Sequence, residues 1–318
     1  MTKFLAVPLL AGLMSTSVAS AQVSSVPWTE LEYSAHKFLL SAGVVLRVED
    51  VSPAELKKVL KAPPEGRPVQ VGSAGATAVT SQTRMPFNRN EDATVWIDNA
   101  SGAALQLEKL NFGGKDYWKR LRYTSQGFYQ WRAEPRSKAE PDRRPELWTG
   151  RSETFKRWSP TTPEGAAVTE SYALLYLVSR ARLDRQGSEL VIYTVADDRL
   201  VEITFTGDQL VGERMSFDEV VDGRTNERRG MVVARRVLGT GRFVGDDAPS
   251  EDVETGFLGM RGPLEMLIEQ GTGVPLEISG NAKGIGSLAV KLKRVVRSPA
   301  KVPATTAARA AKPCPTGS

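Results

Sequence analysis

The 318-residue chain has one cysteine and one histidine, and each scarcity excludes a class of chemistry. Cys314 lies four residues from the end, among Pro, Thr and Gly, so no intramolecular disulfide can form and the fold must rest on apolar burial. His36 alone cannot build a multi-histidine zinc site, and neither an HExxH motif nor a cysteine cluster is present. No metal site and no cofactor are expected. A Ser-His-Asp hydrolase would have to use His36, which lies in strand-like sequence with no nucleophile elbow elsewhere. The expectation for His36 is a strand residue, and no catalytic residue is assigned.

Apolar runs of bilayer length are also lacking, since a spanning helix needs about 20 apolar residues. The longest run, "FLAVPLLAGLM" (Phe4 to Met14), follows Lys3 and precedes "ASA" at Ala19 to Ala21. That order matches a secretory leader cleaved after Ala21, so the mature chain is expected to be periplasmic, without a transmembrane segment. Gln22, not Cys, follows the cleavage point, which gives no support for a lipid anchor there.

Charge is abundant but unsorted. The formal net charge is +5, with both signs interspersed. In an exported protein this reads as a solvated surface, and no nucleic-acid partner is expected. The adjacent carboxylates Asp197–Asp198, Asp246–Asp247 and Glu251–Asp252 do not by adjacency converge across a cleft, as glycosidase chemistry requires. The acidic loop "GDDAPSEDVETG" matches no established calcium spacing, and "GNAKGIG" lacks the Lys-Ser/Thr of a phosphate loop.

The patterns that are present are mainly those of strands. Leu31, Tyr33 and Ala35 alternate with Glu30, Glu32 and Ser34, and Gly43 allows a bend or turn soon after. "SPAELKKVL" starts a helix: Ser52 can cap, Pro53 takes the first position and Glu55 completes a capping box. From Val69 to Trp131 the pattern is β, with turns at "DNASGAA" and Gly113–Gly114. Trp118, Arg120 and Arg122 share one parity while Tyr117, Lys119, Leu121 and Tyr123 share the other, so one side of that hairpin is expected to be wet. Residues 132–165, rich in Arg, Glu and Pro, read as a long excursion with a strand near Glu153 to Trp158.

A second helix is expected from Thr162, with Pro163 at its first position, running through "SYALLYLVSRARL" to a stop at Gly187. Val168, Tyr172, Leu175 and Ser179 line one face and Leu174, Val178 and Ala181 the next, an arc broad enough for burial on more than one side. Two strands about Asp197–Asp198 follow, then a turn at Gly271–Thr272–Gly273 and a closing strand "GSLAVKLKRVV". From Ser298 the sequence lacks large side chains and reads as a disordered tail. The organisation expected is a leader (1–21), one domain (22–297) and a tail (298–318).

The fold class is therefore mainly β, with α and β elements: a curved antiparallel sheet or half-barrel, one buried helix in its hollow and one short capped helix. If the sheet curves round that helix, Trp96, Trp118, Trp131, Tyr172 and Tyr176 are the candidates to line a ligand-binding hollow. Core packing accounts for the same residues equally well.

Five stretches occur in order: "WTELEYSAHKFLLSAG", "TVWIDNASGAALQLEKL", "GKDYWKRLRYTSQGF", "SYALLYLVSRARL" and "GVPLEISGNAKGIGSLAVKLKRV". Together they resemble the exported bacterial family called domain of unknown function 3108. The resemblance spans about Trp28 to Val296 and implies a half-open barrel with a helix in its hollow, similar to the periplasmic carriers of lipoproteins. It carries no functional residues. The expected role is non-enzymatic binding of an apolar ligand or an envelope protein. The alternatives are a structural or interaction protein with a filled core and, behind it, an envelope hydrolase.

Overall fold

A computed structural model describes residues 26–37, 40–86, 89–158, 162–196, 198–246, 248–250, 253, 255, 259–282 and 286–298. The expected leader, most of the expected tail with Cys314, and several acidic-loop residues lie outside this set.

Fourteen strands form one sheet among the described residues. The first meander is β1 (Trp28–Lys37), β2 (Leu40–Val51), β3 (Ala76–Arg84), β4 (Asn90–Asp98), β5 (Ala104–Phe112), β6 (Tyr117–Thr124), β7 (Gly127–Glu134) and β8 (Gly150–Arg157). The second is β9 (Glu189–Ala196), β10 (Arg199–Val221), β11 (Arg224–Phe243), β12 (Met260–Glu269), β13 (Pro275–Ala282) and β14 (Gly286–Arg297). Sequence neighbours pair antiparallel within each meander, and β1 pairs with β14, so β8 and β9 are the two edges.

The second meander also closes on itself. The far half of β10 runs parallel to β14 (Asp218↔Arg294, Val220↔Val296), beyond the point where β13 has ended at that edge. A tight turn with Asp222 and Gly223 at φ 49° and 76° returns the chain into β11, an Asp-Gly pair in the left-handed geometry such hairpins need.

One face of the curved sheet carries the core. Leu31, Tyr33 and Ala35 are buried as their alternation requires, opposite Leu46, Val44 and Ala42. Val95 and Ile97 continue the same face on β4. The connection between β1 and β2 falls between Lys37 and Leu40; Gly43, expected at a bend, lies inside β2 between Ser34 and Arg84.

The hollow is occupied by α2 (Leu174–Ala181), whose Leu174, Leu175, Tyr176, Val178 and Ser179 are all buried. Ser179 Oγ accepts from Trp28 Nε1 at 2.9 Å and donates to the Gly273 carbonyl at 2.6 Å, tying the helix to β1 and to the β12–β13 turn. The helix is shorter than its sequence pattern predicts. Pro163 to Ala166 form a turn, Ala166 N donating to the Pro163 carbonyl at 3.0 Å, and a 3-10 turn at Ser171–Ala173 leads into the helix. Between them the backbone is claimed by the sheet. Val168 O accepts from Ala104 N at 2.9 Å, and Thr169 N donates to Tyr193 O at 2.7 Å, so these two β-branched residues bridge β5 to the β9 edge.

The short helix α1 (Pro53–Val59) has the expected capping box and lies on the opposite, convex face, where Leu56 packs with Ala76 and Leu105. The expected excursion at 132–165 is more structured than its composition implies. It includes the end of β7, a 3-10 turn at Pro145–Leu147 and β8, and Trp148 is buried within it.

Candidate functional site

The five aromatic candidates do not converge. Tyr172 and Tyr176 lie on the concave side: Tyr172 meets Lys109 and Glu91, and the Tyr176 hydroxyl meets Thr77 Oγ1 at 3.3 Å. The three tryptophans face the other way because they occupy the opposite parity of their strands. Trp96 packs beside α1 with Leu56 and Leu105. Trp118 and Trp131 meet edge to face, centroids 4.9 Å apart, with the Arg120 guanidinium 5.4 Å from each ring. Arg120 is held in turn by Glu108 at 2.8 Å. Trp118, Arg120 and Trp131 are half-buried, as are Tyr117, Lys119 and Gln130 on the other face, so the expected division of this hairpin into a wet and a dry side is not found there.

On the inner face the same strands present a different set: Lys109 from β5, Lys119 and Leu121 from β6, Phe128 and Gln130 from β7. Together with Glu170, Ser171 and Tyr172 they line a half-open cavity of about 370 Å³. Its rim reaches Asp198, whose side chain is 64% exposed and pairs with Lys156 at 2.5 Å. That ion pair joins β8 to the β9–β10 turn, so it clasps the two edges of the sheet beside the cavity.

Most polar groups around the cavity are matched. Lys109 Nζ sits 2.5 Å from Glu91 Oε2 and donates to the Tyr172 hydroxyl at 2.7 Å; that hydroxyl donates to Glu91 Oε1. Burial is the largest single influence and works against the Lys109 charge, but Glu91 and Tyr117 together outweigh it and raise the ammonium pKa. Burial and Glu91 together hold Tyr172 well above its ordinary value, so it stays a neutral phenol. The Tyr123 hydroxyl donates to Glu170 Oε1, and burial pushes the Glu170 carboxyl pKa up.

Lys119 is the exception. Among the described residues its ammonium makes no hydrogen bond and no ion pair. Burial, only partly offset by the Glu170 charge, lowers its pKa. The sequence pattern placed Lys119 on the same parity as Leu121 but did not mark it as a site residue, because only the pairing of β5, β6 and β7 reveals what surrounds it.

Two larger hollows flank α2. One, of about 770 Å³, opens where Trp28 and Tyr176 meet the β12–β13 turn; there Arg228 and Arg297 pair with Glu219 and Glu269. The other, of about 810 Å³, runs along β9 between Gly102, Ala166 and Leu177, and its Arg182 and Glu189 are exposed. His36 lies exposed in β1. Among the described residues no cluster of His, Cys, Asp or Glu has metal-ligand geometry, and no helix is long and apolar enough to cross a membrane. No family model, curated protein or solved structure matches the chain.

Proposed function

We propose that this chain is a non-enzymatic binding protein of the periplasm, and that its ligand occupies the concave cavity between β5, β6, β7 and residues 170–172. One observation carries the reading. On the concave face beside α2, strand side chains and the 170–172 segment leave about 370 Å³ unfilled around Lys119, whose ammonium makes no hydrogen bond or ion pair among the described residues. That volume falls in the usual range for small-molecule sites. Support for binding in preference to catalysis comes from the polar groups at the cavity: Glu91, Lys109 and Tyr172 are locked to one another, and Glu170 is held by Tyr123. The polar lining argues for a compact ligand with a polar head in place of a wholly apolar one. Membership of the domain of unknown function 3108 family belongs to the same proposal, supported by the curved sheet with a helix in its hollow.

A second reading, an interaction protein with a filled core, draws on the β9 edge. Beyond the Tyr193 bridge to residues 168 and 169 its outer side faces the larger groove, and Val191 is 46% exposed. Native mass spectrometry separates the two. For protein purified gently from its own periplasm, the expected spectrum starts at Gln22 and carries a bound mass that vanishes on denaturation. A bare mass from folded protein overturns the cavity reading in favour of the edge. An N-terminus at Met1 overturns the export assignment.

A further inference from the structure

Three cations stand in a row across the inner face. Lys109 on β5 is the register partner of Lys119 on β6, and Lys119 is the partner of Arg132 on β7. Like charges directly opposite on neighbouring strands repel, so the row opposes sheet formation unless each charge is answered. The two outer members are answered. Lys109 has Glu91, and Arg132 pairs with Glu134 at 3.2 Å and stacks 4.3 Å from the Tyr117 centroid. The middle one, Lys119, has no partner among the described residues and lines the cavity. The nearby carboxyl of Glu170 offsets only part of the cost of burying its charge: the two make no ion pair, and Glu170 is engaged by Tyr123. Leu107, Leu121 and Phe128, all nearly fully buried, also border the cavity.

Resting on the reading of this cavity as a binding site, we propose that its ligand bears one anionic group, a carboxylate or phosphate monoester, that docks on Lys119. A short apolar or aromatic body then lies against Leu107, Leu121 and Phe128. Lys119 is half-buried, and a charge-assisted hydrogen bond from its ammonium to an anion would supply the partner that the protein withholds. The cavity limits the body to one short chain or a single ring, which excludes a diacyl lipid from lying wholly within it.

The test uses calorimetric titration of the mature protein with four probes: octanoate, octyl phosphate, octanol and inorganic phosphate. Both anionic amphiphiles are expected to bind, octanol at least tenfold more weakly. Lys119→Met is expected to lose at least tenfold for the two anionic amphiphiles and to leave octanol unchanged. The same variant should melt at a higher temperature, which a merely structural lysine would not produce. Equal binding of octanol and octanoate by the unmodified protein overturns the anion assignment and leaves the cavity reading standing. No binding of any probe overturns both. Inorganic phosphate binding as tightly as octyl phosphate keeps the anion receptor and overturns the apolar body. The comparison among probes on the unmodified protein does not depend on the variant folding.

Discussion

Ser179 holds α2 in place through a single hydroxyl. It accepts from the buried Trp28 indole and donates to the Gly273 carbonyl, joining three parts of the chain far apart in sequence. Ser179→Ala leaves both partners buried and unmatched, and each such loss is worth about 1–3 kcal/mol. The variant is expected to lower the unfolding free energy by about that much, read as a reduced urea midpoint with an unchanged slope. Ser179 was legible as a face residue of an apolar helix, but its two partners were not. Neither Trp28, 151 positions away, nor the Gly273 carbonyl is marked by local sequence. The tryptophans show the same limit. Parity separated Trp118 from Tyr117, but which parity faced the hollow depended on which way the sheet curved.

At the scale of elements, the segment 135–149 shows why composition misled. Its Arg, Glu and Pro content reads as loose chain, yet one carboxylate organises it. Glu140 accepts from Arg136 N and Thr149 N, each at 3.0 Å, and from Thr149 Oγ1 at 2.9 Å, while its carbonyl takes the Trp148 indole at 2.8 Å. The backbone donors, Thr149 first, bring its pKa down to about 2. A depressed carboxylate contributes stability above its unfolded pKa of about 4.3 and loses it as pH falls through the folded value. The Trp148 indole N–H resonance is therefore expected to hold its position from neutral pH down to about 3 and to move below that. In Glu140→Gln it should already be displaced at neutral pH; an unmoved resonance in that variant removes Glu140 as the organiser. The second helix departs from its pattern for a related reason. Thr162 and Pro163 are sound starting residues, but residues 168 and 169 are worth more to the fold as a bridge between β5 and β9.

The whole molecule depends on a pairing between its two ends. Trp28 on β1 lies opposite Arg297 on β14, and β14 also pairs with β13 and the far half of β10. Removing β14 opens three edges at once, and unpaired edges invite aggregation. A chain ending at residue 285 is expected to lose its cooperative melting transition and to elute as aggregate in size-exclusion chromatography. A chain ending at Ser298 keeps the contacts to Pro27 and Val26 and should melt within about 2 °C of the full chain. A folded, monomeric product from the shorter chain would show that β14 is dispensable.

What the sequence determined by itself is local: the alternation that makes strands, the capping box at Ser52, the turn at Gly271–Gly273, and the inability of one thiol to form an internal crosslink. These depend on residues within a few positions of one another, where propensity and periodicity act directly. What the tertiary structure decided is everything that depends on strand order and curvature. The joining of β1 to β14, the burial of Glu170, the outward turn of the three tryptophans and the row Lys109–Lys119–Arg132 all arise from register between strands. Register is set by the summed burial of a whole face, and a one-residue slip would turn every side chain of a strand over. No short stretch of sequence contains that information.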